Sequence, residues 1–152
     1  MTTDITVRRA YGADVDRLVP LCAEHAAYER ISHAGDQRID ALIHALDSSP
    51  AHLHAWIAEA GDSAVGYVTA TLDFSTLDRA VFLHMDCLYV REGWRGRAIG
   101  WRLWREVYDF ARAHGCRNMQ WQTPQWNEDA ARFYRRLGAS ELSKRRFTLV
   151  VT

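Results

Sequence analysis

Between residues 88 and 100 the chain reads Leu88-Tyr89-Val90-Arg91-Glu92-Gly93-Trp94-Arg95-Gly96-Arg97-Ala98-Ile99-Gly100. An apolar run passes into a stretch of small residues and arginines, and an amphipathic pattern follows at once. Small residues let backbone N–H groups approach a ligand closely, and the N-terminus of a helix favours negative charge. Arg91, Arg95 and Arg97 add cations, and a guanidinium grips phosphate or carboxylate through a two-pronged fork. The segment therefore suits a pyrophosphate. It lacks both the Gly-Lys-Ser/Thr ending of a Walker loop and the GxGxxG spacing of a dinucleotide fold. On spacing alone, a helix start whose glycines serve only the turn explains it equally well.

Other residue types that carry chemistry say less. Cys22, Cys87 and Cys116 are odd in number and show no CxxC spacing. Neither a disulfide framework nor a zinc site on paired cysteines is expected. His52 and His54 are the tightest histidine pair and would share one face of a strand, but no third ligand stands beside them, so no metal is expected.

The elements that must position these residues follow from periodicity. Ile5 to Arg8 alternates as a strand, and Asp14 stands as an N-cap before a helix through Val15, Leu18, Leu21 and Ala26 to about Arg30. Ile39, Leu42, Ile43 and Leu46 predict a second helix that stops before Pro50. Leu53–Ala60 and Val65–Leu72 form a hairpin around Gly61-Asp62-Ser63, and Ala80–Val90 is apolar enough for a central strand. Ile99, Leu103, Trp104, Val107 and Ala111 mark a strong helix that closes near His114-Gly115. A strand over Asn118–Gln122, a helix from Asn127 to Leu137 and a last strand over Phe147–Val151 complete the chain. The order β-α-α-β-β-β-α-β-α-β predicts an α/β (α+β) layout, a central mixed sheet with helices on both faces. No repeat or linker interrupts it, so residues 1–152 read as one domain.

Composition bounds the function. Lys+Arg and Asp+Glu are 19 each in 152 residues, a formal net charge of zero, and Lys144 is the only lysine. A nucleic-acid coat carries a basic excess, so no nucleic-acid partner is expected. No apolar stretch approaches a membrane span, and Met1 to Ala10 lack the apolar core of a signal peptide, so the expected location is cytoplasmic.

Two motifs carry a family resemblance. Arg95-Gly96-Arg97-Ala98-Ile99-Gly100 resembles the Arg/Gln-x-x-Gly-x-Gly/Ala signature of the GNAT superfamily of acyl-CoA N-acyltransferases, with Ala98 where glycine is usual. A negative φ at Ala98 would keep its N–H available to phosphate. Asn127-Glu128-Asp129-Ala130-Ala131-Arg132-Phe133-Tyr134, followed by Arg135-Arg136-Leu137-Gly138-Ala139, resembles the family's terminal helix. Within the superfamily the chain is most similar to the diamine acetyltransferase group (spermidine/spermine and thialysine-type enzymes), through Ala27-Tyr28-Glu29, Trp94-Arg95-Gly96 and Trp126-Asn127-Glu128.

The resemblance implies a GNAT fold, with a mixed, mostly antiparallel sheet of six to seven strands and about four helices. It implies acetyl-CoA as co-substrate, with contacts at Leu88, Tyr89, Val90, Arg95, Gly96, Arg97, Ala98, Ile99, Gly100, Trp101, Asn127, Asp129, Ala130 and Tyr134. Asp86 takes the place of the general base, acting directly or through water, and burial beside Met85, Leu88 and Phe82 would raise its pKa. Counting by twos, Asp86, Leu88 and Val90 share a strand face unless a bulge intervenes. Tyr134 takes the place of the general acid on the departing thiolate, because a phenol with pKa near 10 suits that proton.

Tyr28, Glu29 and Asp86 match the family's amine positions, and Gln120, Trp121 and Gln122 lie toward the same groove. Cys87 stands where the diamine enzymes often carry a second acid, so a small amine, an amino acid analogue or an antibiotic amine fits as well as a polyamine. A homodimer is expected. The rival readings are a non-catalytic acyl-CoA-binding regulatory domain and a protein N-acetyltransferase.

Overall fold

The computed structural model describes residues 4–152 and divides into two compact units, Met1–Gln122 and Thr123–Thr152. The first unit holds strand β1 (Ile5–Ala10), a one-turn 3-10 helix (Gly12–Asp14), helices α1 (Val15–Glu29) and α2 (Ile39–Asp47), strands β2 (His54–Ala60), β3 (Ser63–Ser75) and β4 (Ala80–Val90), helix α3 (Ile99–Ala113) and strand β5 (Met119–Gln120). The second holds helix α4 (Glu128–Arg136).

The five strands form one sheet in the order β1-β2-β3-β4-β5. The first three pairings are antiparallel and β4–β5 is parallel, so the sheet is mixed and mostly antiparallel as expected. The strand count is lower than the six to seven expected. The segment Phe147–Val151 forms no strand, and residues 139–152 carry no regular secondary structure. The reason is physical: β-propensity needs a ladder partner, and here Phe147 stands 88% exposed. The strand expected over Asn118–Gln122 shrinks to its two residues beside Leu83 and His84.

Helix α1 forms because Val15, Leu18, Leu21, His25 and Ala26 recur with helical spacing and are buried. It covers one face of the sheet, where Leu18, Leu21 and Leu46 pack with Ala55, Ile57, Tyr67 and Tyr89. Asp14 occupies the N-cap position of α1, but its carboxylate accepts from the Tyr11 N–H at 2.9 Å and pairs with Arg8 at 2.7 Å instead. Helix α3 covers the opposite face. There Phe110 meets Trp56 edge-on at 5.4 Å, and a Cβ added at Gly66 would lie 2.9 Å from the Tyr89 carbonyl and 3.2 Å from Leu103 Cδ1. Glycine at 66 is what lets α3 seat on the β3–β4 pair.

His54 opens β2, so His52 precedes the strand and the two do not share a strand face. The His54 ring bonds to Arg9 and lies 4.5 Å from Phe110. Burial, reinforced by Arg9 and His114, pushes its imidazole down to about 4. An unfolded histidine titrates near pH ~6.5. The unfolded chain therefore binds the proton first, and stability present above that pH declines as the solution is acidified toward pH 4.

Ala98, the N-cap of α3, has φ 63°. Left-handed backbone costs an L-residue ~1–2 kcal/mol, and glycine there is free of that strain. Ala98→Gly is expected to raise the melting temperature by about 1–4 °C after the extra chain entropy of glycine is offset; a lower melting temperature would contradict strain at this residue. For His54, the melting temperature of the wild type should fall between pH 6.5 and 4 more steeply than that of His54→Gln, and parallel curves would contradict the depressed imidazole.

Candidate active site

Strand β4 is the organising element. It pairs with β3 from Gly66↔Val90 to Ser75↔Ala80 with one irregularity: Thr69 faces Cys87 and Ala70 faces Met85, which leaves Asp86 as the extra residue of a β-bulge. On its other side β4 pairs with β5 only at Leu83 and His84. In this unit the stretch from Met85 to Val90 therefore has no strand along that edge, an opening where an extended ligand can add main-chain hydrogen bonds. The expected cofactor positions Leu88, Tyr89 and Val90 lie on it.

The edge leads into the expected phosphate loop. Arg91 N–H donates to the Val65 carbonyl at 2.8 Å, and turns through Gly93 and Gly96, both at positive φ, reach Ala98. Alanine is thus held at positive φ, not at the negative φ under which the sequence kept its N–H available to phosphate. Its Cβ does not prevent the loop from closing. The first bond of α3 runs from Arg102 N–H to the Ala98 carbonyl, and no side chain caps the helix. The N–H groups of Ile99, Gly100 and Trp101 thus have no helical acceptor, the arrangement that binds anions. Trp101 is exposed beside them.

The arginines divide into two groups. Arg91 is neutralised by Glu24, with Nη2 2.6 Å from Oε2, and Arg105 pairs with Asp109 at 3.2 Å. Arg102 donates to the Ile5 carbonyl. Arg95 and Arg97 instead lie on aromatic rings: Arg97 over Trp94 at 4.7 Å, Arg95 over Tyr28 at 4.6 Å and over Tyr89 at 5.6 Å. Arg95 Nε also donates to the Val90 carbonyl at 2.9 Å. Like Arg102, these two have no carboxylate within ion-pair distance among the described residues.

At the bulge, Asp86 departs from expectation. Its side chain is 58% exposed rather than buried among Met85, Leu88 and Phe82, because the extra residue is turned out of the ladder. The same bulge breaks the two-residue alternation that would have joined it to Leu88 and Val90. His84 Nε2 lies 3.7 Å from Oδ1, and the Cys87 thiol donates to Oδ2 at 3.8 Å. Burial, with Asp86 adding to it, pushes that thiol up to about 12, so Cys87 stays protonated.

The expected amine residues lie at the end of α1. The Tyr28 ring lies 6.2 Å from that of Tyr89, under Arg95. Glu29 accepts from His25 Nε2, and His25 Nδ1 lies 2.8 Å from the Tyr67 hydroxyl. Sequence reasoning missed His25 and Tyr67. The signal was a histidine on the buried face of α1 with a carboxylate four residues on. Gln120 and Gln122 are exposed and Trp121 is half-buried.

In the second unit, Asn127 caps α4. Its Oδ1 accepts from the Ala130 N–H at 3.2 Å, so this oxygen has a structural partner and the amide NH2 takes no part in the cap. Asp129 is exposed and pairs with Arg132 one turn on. Tyr134 is half-buried on the same helix, which ends where Gly138 takes φ 94°.

Comparison with known proteins supplies the family. The family model described as "Acetyltransferase (GNAT) family" matches residues 20–139. A thialysine N-epsilon-acetyltransferase of Bos taurus is 26% identical over 148 residues, covering 92% of this chain and 86% of that one. The enzyme of the same name from Caenorhabditis elegans is 24% identical over 129 residues, covering 85% and 79%. Among solved structures, an aminoglycoside N-acetyltransferase in complex with CoA has a TM-score of 0.83 at 20% identity, covering 99% of this chain and 97% of that one. An aminoglycoside acetyltransferase from an uncultured soil metagenomic sample has a TM-score of 0.83 at 17% identity, covering 97% of each chain. No helix among the described residues is long and apolar enough to cross a membrane. A strand edge left open at a bulge and running into an uncapped helix, together with a family match over residues 20–139, makes this chain a member of the GNAT acetyltransferase family, an acetyl-CoA-dependent acyltransferase.

Proposed function

We propose that residues 1–152 act as one catalytic domain that transfers an acetyl group from acetyl-CoA directly to a primary amine of a small molecule. The observation that carries this reading is the open edge of β4 from Met85 to Val90, with a carboxylate bulged out at one end and unfilled helix N–H groups beyond the other. The backbone of Leu88 to Val90 pairs with an extended pantetheine arm, and an N–H at Leu88 or a neighbour holds the carbonyl oxygen as it becomes an oxyanion. Gly96 to Trp101 bind phosphate, with Arg95 and Arg97 beside them. Asn127, Asp129 and Ala130 complete the cofactor contacts.

Asp86 removes the ammonium proton. Its exposure and the 3.7 Å gap to His84 leave room for a water that relays the proton. Tyr134 returns a proton to the thiolate. Tyr28, Glu29, Gln120, Trp121 and Gln122 bind the amine, where Glu29 offers charge and Tyr28 an aromatic face. Relatives named thialysine N-epsilon-acetyltransferase support a small cationic acceptor. A homodimer and a cytoplasmic location belong to the same reading.

Thiol release from acetyl-CoA with thialysine, spermidine, an aminoglycoside and a peptide N-terminus as acceptors tests the assignment. Turnover is expected with a small amine. Binding of acetyl-CoA without transfer to any acceptor would favour a regulatory acyl-CoA-binding domain, and turnover of the peptide alone would favour a protein acetyltransferase. Tyr134→Phe should lower kcat at least about tenfold with little change in KM for acetyl-CoA; full turnover in that variant removes Tyr134 from the mechanism.

A further inference from the structure

His25 is 8% exposed on the sheet-facing side of α1, and a buried imidazole needs partners for both ring nitrogens. It has them. Nδ1 lies 2.8 Å from the Tyr67 hydroxyl, and Nε2 bonds to Glu29 Oε2. The ring is stacked on Tyr89 at 5.2 Å and 20°, and meets Tyr67 edge-on at 5.8 Å and 73°. Position, tilt and both hydrogen bonds are thereby set by the core.

The direction of these bonds follows from chemistry. A carboxylate only accepts, so Nε2 carries the hydrogen that Glu29 receives. Tyr67 is 1% exposed, and burial holds its phenol in the protonated form. The hydroxyl and Nδ1 share the ring's other hydrogen bond, so both nitrogens are tied to fixed partners. Tyr67 holds the ring in place, and His25 passes that order on to Glu29.

The result is a carboxylate with one oxygen pinned and Oε1 outside that bond. Glu29 is the last residue of α1, where the helix dipole disfavours an anion. Its side chain is 21% exposed, so it is reachable, yet it is no solvated helix end. The neighbouring Tyr28 lies under Arg95, which is itself bonded to the Val90 carbonyl at the open edge. The carboxylate and the edge of β4 are thus held in one frame.

We propose that His25 is a positioning residue for amine recognition: fixed by Tyr67, it holds Glu29 Oε2 so that Oε1 meets the ammonium of the acceptor. The proposal rests on the reading that Glu29 binds the amine. Orienting groups of this kind act through the side chain they hold, without touching the ligand.

Steady-state kinetics on the full chain test it, with acetyl-CoA and whichever of thialysine, spermidine and sisomicin is turned over best. His25→Phe keeps the ring in the core but loses both bonds. It should raise KM for the amine about tenfold, leave kcat within about twofold and leave KM for acetyl-CoA unchanged. His25→Gln retains an N–H donor near the Nε2 position and should restore the amine KM to within about threefold of wild type. Glu29→Gln should raise the amine KM at least as much as H25F, and the double variant should be no worse than E29Q alone.

A raised KM in E29Q with an unaffected H25F, or additive effects in the double variant, overturns the proposal alone. An unchanged KM in E29Q, or no turnover of any of the three amines, overturns the placement of Glu29 at the amine and the proposal with it. Should thermal melts show H25F unfolded, Tyr67→Phe takes its place. It keeps the core volume, removes the hydroxyl and should raise the amine KM about threefold; a wild-type KM in Y67F overturns the proposal.

Discussion

The β3–β4 ladder, with its one-residue bulge at Asp86, is the constraint on which the rest depends. Ten paired positions between Gly66↔Val90 and Ser75↔Ala80 hold the two strands in register. A one-residue slip would exchange the α1 face for the α3 face at every position. The bulge allows both faces to be satisfied while one acidic residue leaves the ladder. Tyr67, Thr69, Cys87 and Tyr89 then share the α1 face, and Val68 and Leu88 share the other. Because β5 pairs with β4 for two residues only, the same strand that anchors the core offers a free edge beyond the bulge.

What lies on the α1 face is polar where a purely mechanical core would be apolar. Tyr67 sits among Cys22, Cys87 and His25, and burial raises both thiols and the phenol, which keeps those three neutral. Neutral partners avoid the desolvation penalty of buried charge, and the two carboxylates bonded to the cluster, Glu29 through His25 and Asp86 through Cys87, stand at its more exposed ends. The thiols and the phenol can therefore pack around the ring without adding charge to the core.

The zero net charge is likewise a sum of local arrangements. Glu24 with Arg91, Asp109 with Arg105 and Asp14 with Arg8 cancel in place. Arg95 and Arg97 remain at the loop, held by aromatic faces that orient a guanidinium without neutralising it. Charge is left over where an anion is expected, and Glu29 and Asp86 leave the opposite charge where an amine is expected.

The sequence by itself determined the helices, the apolar central strand and the loop-to-helix segment, because these depend on interactions among residues within a few positions of each other. Ala80–Val90 and Ile99–Ala113 form where the periodicity predicts, and both motifs that carried the resemblance fall on the elements expected. The bulge, the exposure of Asp86, the brevity of β5 and the missing pairing of Phe147–Val151 depended on which strand lies alongside, and local propensity holds no such information. The left-handed φ of Ala98 belongs with them, since the loop closure imposes it against the preference of alanine. The bond from Tyr67 through His25 to Glu29 joins residues 42 positions apart in the chain. Only the stacking of α1 on the sheet brings them together, and only there does a histidine within an apolar stripe become the group that holds a carboxylate in place.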